Sequence, residues 1–525
     1  MEEAVPTTHV KPIEPTVTAA AGEAGRADAP VSIILELNVA HPGGLRGVRD
    51  ALFRLFEEHA KDPVSLTAMP GDVVDPGTPP GLRRLAPRLY QCVLTRPALA
   101  ELMKANAAEE SRSGGSAVIF KAWPDYQLEA QIDRSAPTVK ADAARRSYAA
   151  TGKRIVWAVM DTGIDATHPH FSALPLAKRD EMRRAKDPDG TVRGKSPTFG
   201  RHRDFTGMID PTTPADPPSP LTDESGHGTH VAGIIAGACP DGGTPHVATA
   251  DEPLDDGGRY VPRQPDPTQL RGMAPDCALV SLKVMQVGDD GLAHTSAATL
   301  IRAIDYIQNE VNVGRGPLQI HGVNISIGCV WDAEVYAAGQ SPLCQAIDQL
   351  VASGVVVVIS AGNSGQQATR SGDLAAVLGS ITEPGHAADC ITVGSTHRDS
   401  PHAFGITHTS SKGPTLDGRM KPDVVAPGEW ITSAATGLLR VSAGLDRMAR
   451  GTKDPKLTYA EDSGTSMAAP HVSGVIAAFL SARPEFIGRP QHVKRLLCEN
   501  AMDLRRERYA QGHGLVDLMR VLSNS

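Results

Sequence analysis

Short apolar runs alternate with longer amphipathic stretches along most of the chain after residue 150. The apolar runs include IVWAVM, ALVSLKVM, VNISI, VVVVISAG and CITVGS, and stretches such as AATLIRAIDYIQNEV and PLCQAIDQLVASG lie between them. Strands that are apolar throughout and separated by helices are typical of a parallel sheet covered on both faces. The predicted fold class is therefore α/β, with a mostly parallel sheet and helices on both faces.

The first 130 residues follow a different pattern. Residues 1–30 are rich in Pro, Ala, Thr and Glu and have no helical or strand period, so we predict a flexible arm. The residues that follow have alternating strand and helix periods, which predict strands at 31–39, 89–94 and 116–122 and helices at 47–59 and 97–107. This order predicts a small α+β domain over residues 31–130, in front of a larger domain over residues 135–525.

Two segments interrupt the alternation of the larger domain, at about 173–222 and 239–270. The first contains the basic stretch LAKRDEMRRAKD and a Pro-rich part, and the second is acidic and rich in Pro and Gly. Both have too little apolar content to build a core. They are predicted to be insertions that form surface loops.

Composition and charge exclude some classes of partner. Of the 525 residues, 41% are hydrophobic and 21% are charged, which is the balance of an ordinary globular protein. The formal net charge of −8 argues against nucleic acid or an anionic membrane as the main partner. No stretch approaches the roughly 18 consecutive apolar residues of a membrane span. We therefore expect neither a nucleic-acid partner nor a membrane partner.

The N-terminal sequence and the cysteines bear on the cellular location and the redox state. The opening residues MEEAVPTTHV lack the basic start and the apolar run of a secretory signal, which predicts a cytoplasmic protein. The alternative is a secreted protein whose signal sequence lies outside the numbered chain. The seven cysteines are scattered without a CxxC pair, so we predict mostly reduced residues in the core.

Hydrolysis of a peptide bond by a serine requires the serine hydroxyl, a base that takes its proton and a carboxylate that orients the base. Three residues of this chain can supply these groups. Asp161 ends the apolar strand in IVWAVMDTGID, at the edge where open parallel sheets place functional groups. His227 lies between two glycines at a helix start in GHGTHVAG, and Ser466 begins another apolar helix in GTSMAAPH. We predict Ser466 as the nucleophile, His227 as the base and Asp161 as the orienting carboxylate.

A fourth residue, Asn363, follows the strongly apolar strand in VVVVISAGNSG. An amide at a strand end can donate to the oxyanion that forms during acyl transfer. The backbone N–H of Ser466 can do the same, because the start of a helix favours negative charge. Asn363 is therefore predicted to complete an oxyanion hole.

The four blocks that contain these residues are similar to the signature segments of the subtilisin-like serine proteases, the subtilases. DTGID, GHGTHVAG, SAGNSG and GTSMAAPH occur in the order Asp, His, Asn, Ser that this family has. GMAPDCALVSLKVM, VNISIG, SSKGPTLDGRMKPDVVAPG and GHGLVDL are also similar, so the resemblance covers about residues 135–520. It implies a serine endopeptidase that cuts protein or peptide substrates through an acyl-enzyme.

The resemblance also implies a substrate cleft with two walls, along which a peptide binds as an extra strand. It assigns Ser326, Ile327 and Gly328 to the first wall and Ala361 and Gly362 to the second, facing wall. It assigns Thr382 and Glu383, ahead of Pro384, to the closed end of the pocket for the side chain before the cut bond. If Glu383 faces inward, a basic side chain is expected there.

The small α+β domain resembles the inhibitory propeptide of the family in its position and in its order of elements. Such a domain helps the protease to fold and then blocks its cleft, which implies a zymogen inhibited by its own N-terminal domain. The end of the domain is expected to pass through the active site at about residues 124–135, in PDYQLEAQIDRS. An unrelated accessory domain is the alternative.

Neither a cofactor nor an assignable metal site is expected. Calcium commonly stabilises this family, but no ligand can be carried over residue by residue, and the acidic segment Asp251–Asp256 is interpreted as a solvated loop. Histidines outside the triad are interpreted as packing or capping residues rather than metal ligands: His168, His170, His230 and His471.

Two other functions fit the same sequence. One is an exopeptidase of the same family, in which an inserted loop closes one end of the cleft; cleavage in the middle of a long unstructured protein would exclude it. The other is an inhibited or inactive scaffold that binds peptides without cutting them. The presence of all four catalytic groups argues against this second alternative.

Overall fold

The computed structural model describes residues 30–38, 40–65, 74–86, 88–112, 116–124, 135–174, 176, 200–208, 219–250, 260–263, 266–314, 316–329, 337–368 and 374–525. The chain divides into two compact units, Met1–Ala130 and Gln131–Ser525. Several predicted features lie outside the described residues: the arm up to residue 29, the basic stretch from residue 177 onward, the acidic segment Asp251–Asp256, and residues 125–134 of the expected cleavage segment.

The N-terminal unit is a four-stranded antiparallel sheet with two helices. Its elements are β1 Pro30–Leu37, α1 Gly44–His59, β2 Leu82–Ala86, β3 Leu89–Thr95, α2 Arg96–Arg112 and β4 Ile119–Pro124. The strands pair in the order β2–β3–β1–β4, and residues such as Leu35, Leu52 and Phe56 form a buried core between sheet and helices. The sequence did not predict β2, because this short segment, LRRLA, becomes a strand through its backbone pairing with β3 rather than through an apolar pattern of its own.

A seven-stranded sheet forms the centre of the larger unit. The strands of this unit are β5 Val156–Asp161, β6 Arg203–Asp204, β7 His246–Ala250, β8 Tyr260–Arg263, β9 Ala278–Lys283, β10 Gln286–Val287, β11 Ala293–His294, β12 Gly322–Ile325, β13 Val356–Ser360, β14 Gln366–Ala368, β15 Leu374–Ala376, β16 Ile391–His397, β17 Val424–Glu429, β18 Ile431–Ala434 and β19 Thr458–Asp462. Seven of them pair in parallel in the order β17–β16–β13–β12–β5–β9–β6. The predicted α/β fold with a mostly parallel sheet is confirmed.

Helices cover both faces of this sheet. They are α3 Ser135–Thr138, α4 Ala141–Tyr148, α5 His227–Ile235, α6 Ala297–Tyr306, α7 Pro342–Ala352, α8 Pro401–Phe404, α9 Gly437–Ser442, α10 Leu445–Met448, α11 Thr465–Ala482, α12 Pro490–Glu499, α13 Arg508–Gln511 and α14 Leu518–Ser523. A π-helical turn, Ile307–Val311, continues α6. Single 3₁₀ turns lie at Pro169–Phe171, Thr206–Met208, Pro267–Gln269 and Pro484–Phe486.

The alternation of side chains along β5 explains why its sequence is apolar throughout. Trp157 and Val159 pack into the core that contains α5 and α11, whereas Ala158 and Met160 pack into the core on the other face, with α6 and α7.

Helix α11 has the length and apolar composition of a membrane span, but 83% of that stretch is buried inside the unit.

The second insertion contains strands where the sequence predicted a loop. β7 and β8 form an antiparallel pair, and β7 also pairs in parallel with β19 in a four-stranded sheet of order β18–β19–β7–β8. The run HVATA has one partner within the insertion, β8, and its other partner, β19, begins more than 200 residues further along the chain. A prediction from local composition could not include the pairing with β19.

A buried ion network joins the sheet to α12. Lys421 is 2% exposed, and its Nζ lies 2.7 Å from Asp423 Oδ2 and 2.8 Å from Thr392 Oγ1. The other carboxylate oxygen of Asp423 lies 3.0 Å from Nζ of Lys494. Burial would raise the pKa of Asp423, but the charges of the two lysines hold it below its ordinary value.

The cysteines agree with their predicted state. All seven are free; five are buried, Cys498 is partly buried and Cys329 is exposed. Burial raises the pKa of the Cys92 thiol to about 12, which keeps that thiol protonated at neutral pH.

Candidate active site

Asp161 and His227 meet at the carboxyl edge of the parallel sheet. Asp161 ends β5 and is 1% exposed, and His227 is the first residue of α5. Nδ1 of His227 lies 2.7 Å from Oδ1 of Asp161. Because Nδ1 donates to the carboxylate, Nε2 of the neutral ring carries the lone pair. The two residues therefore form a proton acceptor with a fixed orientation.

A glycine after the histidine permits this close approach. A Cβ atom on Gly228 would lie 2.2 Å from the carbonyl oxygen of Gly163 and 3.1 Å from Cβ of Asp161. Any larger residue would push the start of α5 away from the end of β5. The glycine that follows His227 in the sequence is thus required for packing.

Ser466 is the second residue of α11 and faces the end of β12. Its Oγ donates to the carbonyl oxygen of Ser326 at 3.2 Å, and Oγ of Ser326 donates back to the carbonyl oxygen of Ser466 at 2.9 Å. This reciprocal pair fixes the start of α11 beside the first wall of the predicted cleft. These contacts place the Ser466 hydroxyl at the carboxyl edge of the sheet, where β12 ends.

The orientation of the Asn363 side chain is fixed by the residue before Ser466. Oδ1 of Asn363 accepts from the backbone N–H of Thr465 at 2.9 Å and from its hydroxyl at 3.1 Å. This leaves Nδ2 as the available donor of the amide. The backbone N–H of Ser466 belongs to the first turn of α11, where N–H groups have no acceptor within the helix. Two donors are thus available beside the Ser466 hydroxyl.

The charge of Asp161 changes the basicity of His227. Burial lowers the pKa of the imidazole, but the charge and hydrogen bond of Asp161, with smaller contributions from Asp462 and Asp223, raise it to about 9. The ring is a stronger base than a free histidine, and it is protonated over a wider pH range.

A comparison with known proteins identifies the family. The profile described as "Subtilase family" matches residues 152–514. The chain belongs to the subtilase family. Similar proteins include the serine protease AprX of Bacillus subtilis, which is 28% identical over 72% of this chain and 68% of its own length. Pyrolysin of Pyrococcus furiosus is 31% identical over 56% of this chain, and the match spans 21% of pyrolysin. Among solved structures, the CspB protease of Clostridium perfringens aligns at 17% identity with a TM-score of 0.49, over 74% of this chain and 98% of its own.

Membership of the subtilases makes this chain a serine peptidase that acts on proteins or peptides. The matched range contains Asp161, His227, Asn363 and Ser466, and it does not include the N-terminal unit.

Sequence reasoning missed a buried carboxylate that connects the segments of Asp161 and His227 in this subtilase. Asp223 accepts from the hydroxyl of Thr162 at 2.8 Å and from the N–H of Gly226 at 2.9 Å with one oxygen. Its other oxygen accepts from the N–H and the hydroxyl of Thr229 at 2.8 and 2.7 Å. Burial raises the pKa of Asp223 despite these donors. An acidic residue four positions before His227, in DESGHGTH, was the available signal.

The two predicted walls of the subtilase cleft lie side by side. Ser326–Gly328 follow β12 and Ala361–Gly362 follow β13, and these neighbouring parallel strands end at the same edge of the sheet. Ser326, Ile327 and Ala361 are buried, and the N–H of Gly362 donates to the Thr465 hydroxyl at 3.1 Å. Both walls are therefore tied to the start of α11.

Glu383 does not face inward between these walls. It is 3% exposed, and its Oε1 lies 3.6 Å from the thiol of buried Cys344 in α7. Its backbone pairs with Cys329 through two hydrogen bonds of 2.8 and 3.0 Å. Successive side chains of an extended segment point to opposite sides, and it is Thr382 whose side chain lies between the walls. The condition for a basic preference is thus not met.

Buried histidines surround the back of α5. Ring nitrogens of His168, His230 and His471 bond to backbone oxygens of Thr458, Ala460 and Met467, at 2.9, 3.1 and 2.8 Å. His170 contacts the Tyr459 hydroxyl at 3.1 Å. Burial lowers the pKa of His168 and His471 to about 4, and burial together with the charge of His168 lowers that of His170 to about 3.

Within the described part of the chain, no group of three or more His, Cys, Asp or Glu side chains is arranged to hold a metal ion. The four buried histidines instead contact backbone oxygens and a tyrosine, which is the geometry of packing residues.

Proposed function

We propose that this subtilase is a serine endopeptidase in which Ser466 attacks the scissile carbonyl. The observation that carries the proposal is the 2.7 Å bond between His227 and Asp161, which leaves Nε2 of His227 as an acceptor. The oxygen of the Asn363 amide is already occupied by the N–H of Thr465, which leaves Nδ2 as a donor. These groups supply a base and an oxyanion donor without rearrangement of the backbone.

The proposed reaction runs in two halves. His227 takes the proton of Ser466 as the hydroxyl attacks, and Asp161 stabilises the imidazolium that forms. Nδ2 of Asn363 and the N–H of Ser466 donate to the tetrahedral oxyanion. His227 then protonates the leaving amine, and a water molecule activated by the same histidine hydrolyses the acyl-enzyme. Every group in this scheme belongs to this chain.

The substrate is proposed to bind in an extended conformation. The carbonyl of Ser326, which now accepts the Ser466 hydroxyl, and the backbone of Gly328 belong to a segment that follows a sheet strand. Pairing along such a segment uses the substrate backbone, so it gives affinity with little sequence preference. This is the property that suits an enzyme for cutting within unfolded chains.

We further propose that the N-terminal unit is an inhibitory prodomain and that the chain is a zymogen located in the cytoplasm. The support is the unit's own buried core, its α+β order and its position ahead of the matched peptidase range. A unit with its own core can fold separately and be removed without loss of the core of the peptidase.

One experiment tests the nucleophile and the processing together. Wild-type protein and the Ser466→Ala variant are incubated with and without a small alkyl fluorophosphonate, and their intact masses are measured. We expect an adduct of one phosphonyl group on wild type only. We also expect a cut near residues 124–135 in the untreated wild type only.

An adduct on Ser466→Ala would contradict the assignment of the nucleophile. A wild type that neither reacts nor is cut would favour the inactive scaffold. The endopeptidase assignment is checked on unfolded casein: internal fragments support it, whereas stepwise loss of terminal residues would indicate an exopeptidase.

The pH dependence follows from the basicity of His227. Only the neutral ring can accept the proton of Ser466, so kcat/KM is expected to rise with pH up to a midpoint of about 9. The Asp462→Asn substitution removes one of the charges that raise this pKa, so it should move the midpoint to lower pH. Asp446→Asn, an exposed carboxylate paired with Arg440, serves as the matched control and should leave the midpoint in place. A midpoint at or below 6.5 in wild type would contradict the prediction.

A further inference from the structure

We propose that Thr382 restricts this peptidase to substrates with a small side chain, that of Gly, Ala or Ser, immediately before the cut bond. This inference rests on the proposed reaction at Ser466 and adds the class of substrate that it accepts.

The side chain of Thr382 lies between the two walls of the cleft and closes the inner end of the space between them. A Cβ atom on Gly328 would lie 2.4 Å from Oγ1 of Thr382, and one on Gly362 would lie 2.3 Å from the same oxygen and 2.5 Å from Cγ2. Both distances are far inside van der Waals contact. The walls can therefore carry only glycine at these two positions, and Thr382 is in contact with each of them.

Thr382 is held in this position by hydrogen bonds to the second wall. Its N–H and its hydroxyl both reach the carbonyl oxygen of Ala361, at 3.0 and 3.2 Å, and its own carbonyl accepts from Gly385 at 2.8 Å. The residue is 7% exposed. Turning the side chain away to admit a larger group would break the hydroxyl bond in a buried site, which is unfavourable.

The geometry of the reaction places one substrate side chain at this point. The scissile carbonyl carbon must reach Ser466 Oγ, and its oxygen must point to Nδ2 of Asn363. The preceding residue then lies along Ser326–Gly328, with its side chain directed between the walls. That space ends at Thr382, so a methyl or hydroxymethyl group fits and a benzyl or aminobutyl group meets the threonine.

Charge gives no reason for a long basic side chain in this pocket. The Glu383 carboxylate lies on the other side of the segment, against the thiol of Cys344, and is separated from the walls by the backbone. The selection is therefore by size.

The test uses tetrapeptide p-nitroanilides that differ only in the residue before the cut bond, which is Ala, Phe or Lys. With the full wild-type chain, kcat/KM for Ala should exceed that for Phe and Lys by about 10-fold or more, the scale of discrimination by a few methylene groups. Thr382→Gly should raise the Phe-to-Ala ratio by about 10-fold or more. Thr382→Ala should raise it by less, and the matched variant Thr382→Ser should keep the ratio near wild type.

A wild type that prefers Phe would overturn the inference, as would a Phe-to-Ala ratio that does not change in Thr382→Gly or Thr382→Ala. A wild-type preference for Lys that disappears in Glu383→Gln would assign the selection to Glu383 instead. Labelling of Ser466 by a small fluorophosphonate does not depend on this pocket. A protein that labels normally but prefers Phe therefore refutes only the size selection, whereas one that does not label refutes the proposed reaction.

Discussion

Replacing His227 with alanine is expected to lower kcat on a peptide anilide by about 10⁴-fold, the upper end of what a positioned proton acceptor contributes. The structure gives the reason. Asp161 fixes the imidazole ring of His227 through a 2.7 Å bond, and its charge helps to raise the pKa of the ring to about 9. The alanine variant therefore loses the group that accepts the serine proton, and it also loses the imidazolium that Asp161 would stabilise. Initial rates at saturating substrate measure the loss.

Two further variants separate this effect from general damage. His402→Ala removes an exposed histidine far along the chain in α8 and should retain the wild-type kcat. Asn363→Ala should cost about 10²–10³-fold, the size of the loss known for the corresponding type of donor in subtilisin, a relative. A His227→Ala protein with no greater loss than Asn363→Ala would show that another group accepts the serine proton.

The Asp423→Ala substitution is expected to lower the free energy of unfolding by about 3–5 kcal/mol, because it leaves a buried cation without its partner. Lys421 is 2% exposed, and its ammonium group lies 2.7 Å from Asp423. Urea unfolding in the Ser466→Ala background, which prevents self-digestion, measures the change.

The matched control is Asp305→Ala, which removes an exposed carboxylate from its 3.1 Å pair with Arg302. Exposed pairs contribute about 0–1 kcal/mol, so this variant should be nearly as stable as the parent. Equal losses in the two variants would mean that burial of Lys421 does not decide the effect. The double variant Lys421→Met, Asp423→Leu should regain much of the lost stability, since it removes the buried cation together with its partner. Lys494 is 21% exposed and keeps its bonds to the carbonyl oxygens of Ala388 and Cys390.

The parts of the site that the sequence predicted are those set by local pattern. Asp161 ends an apolar run, His227 lies between glycines and Ser466 begins an apolar helix, and each of these contexts can be read within about ten residues. The parallel sheet then brings the ends of β5, β12 and β13 to one edge, because the carboxyl ends of parallel strands share an edge.

The parts that the sequence did not predict depend on contacts between distant segments. Asp223 bonds to Thr162, 61 residues earlier, and Asn363 is oriented by Thr465, 102 residues later. The direction of the Glu383 side chain depends on the backbone pairing of Glu383 with Cys329, and this pairing cannot be seen in the local sequence. Strand β7 was missed for the same reason.

The buried histidines behind α5 have a consequence for proton uptake. His168, His170 and His471 stay neutral in the folded unit down to a pH of about 3 to 4, whereas in an unfolded chain each binds a proton near pH 6.5. Unfolding between these limits therefore takes up about three protons, and the free energy of unfolding falls by about 4 kcal/mol for each pH unit in that range. Protons thus act as ligands of the unfolded chain. They set a lower limit of pH below which the enzyme has a short lifetime, whatever the ionisation of its catalytic groups.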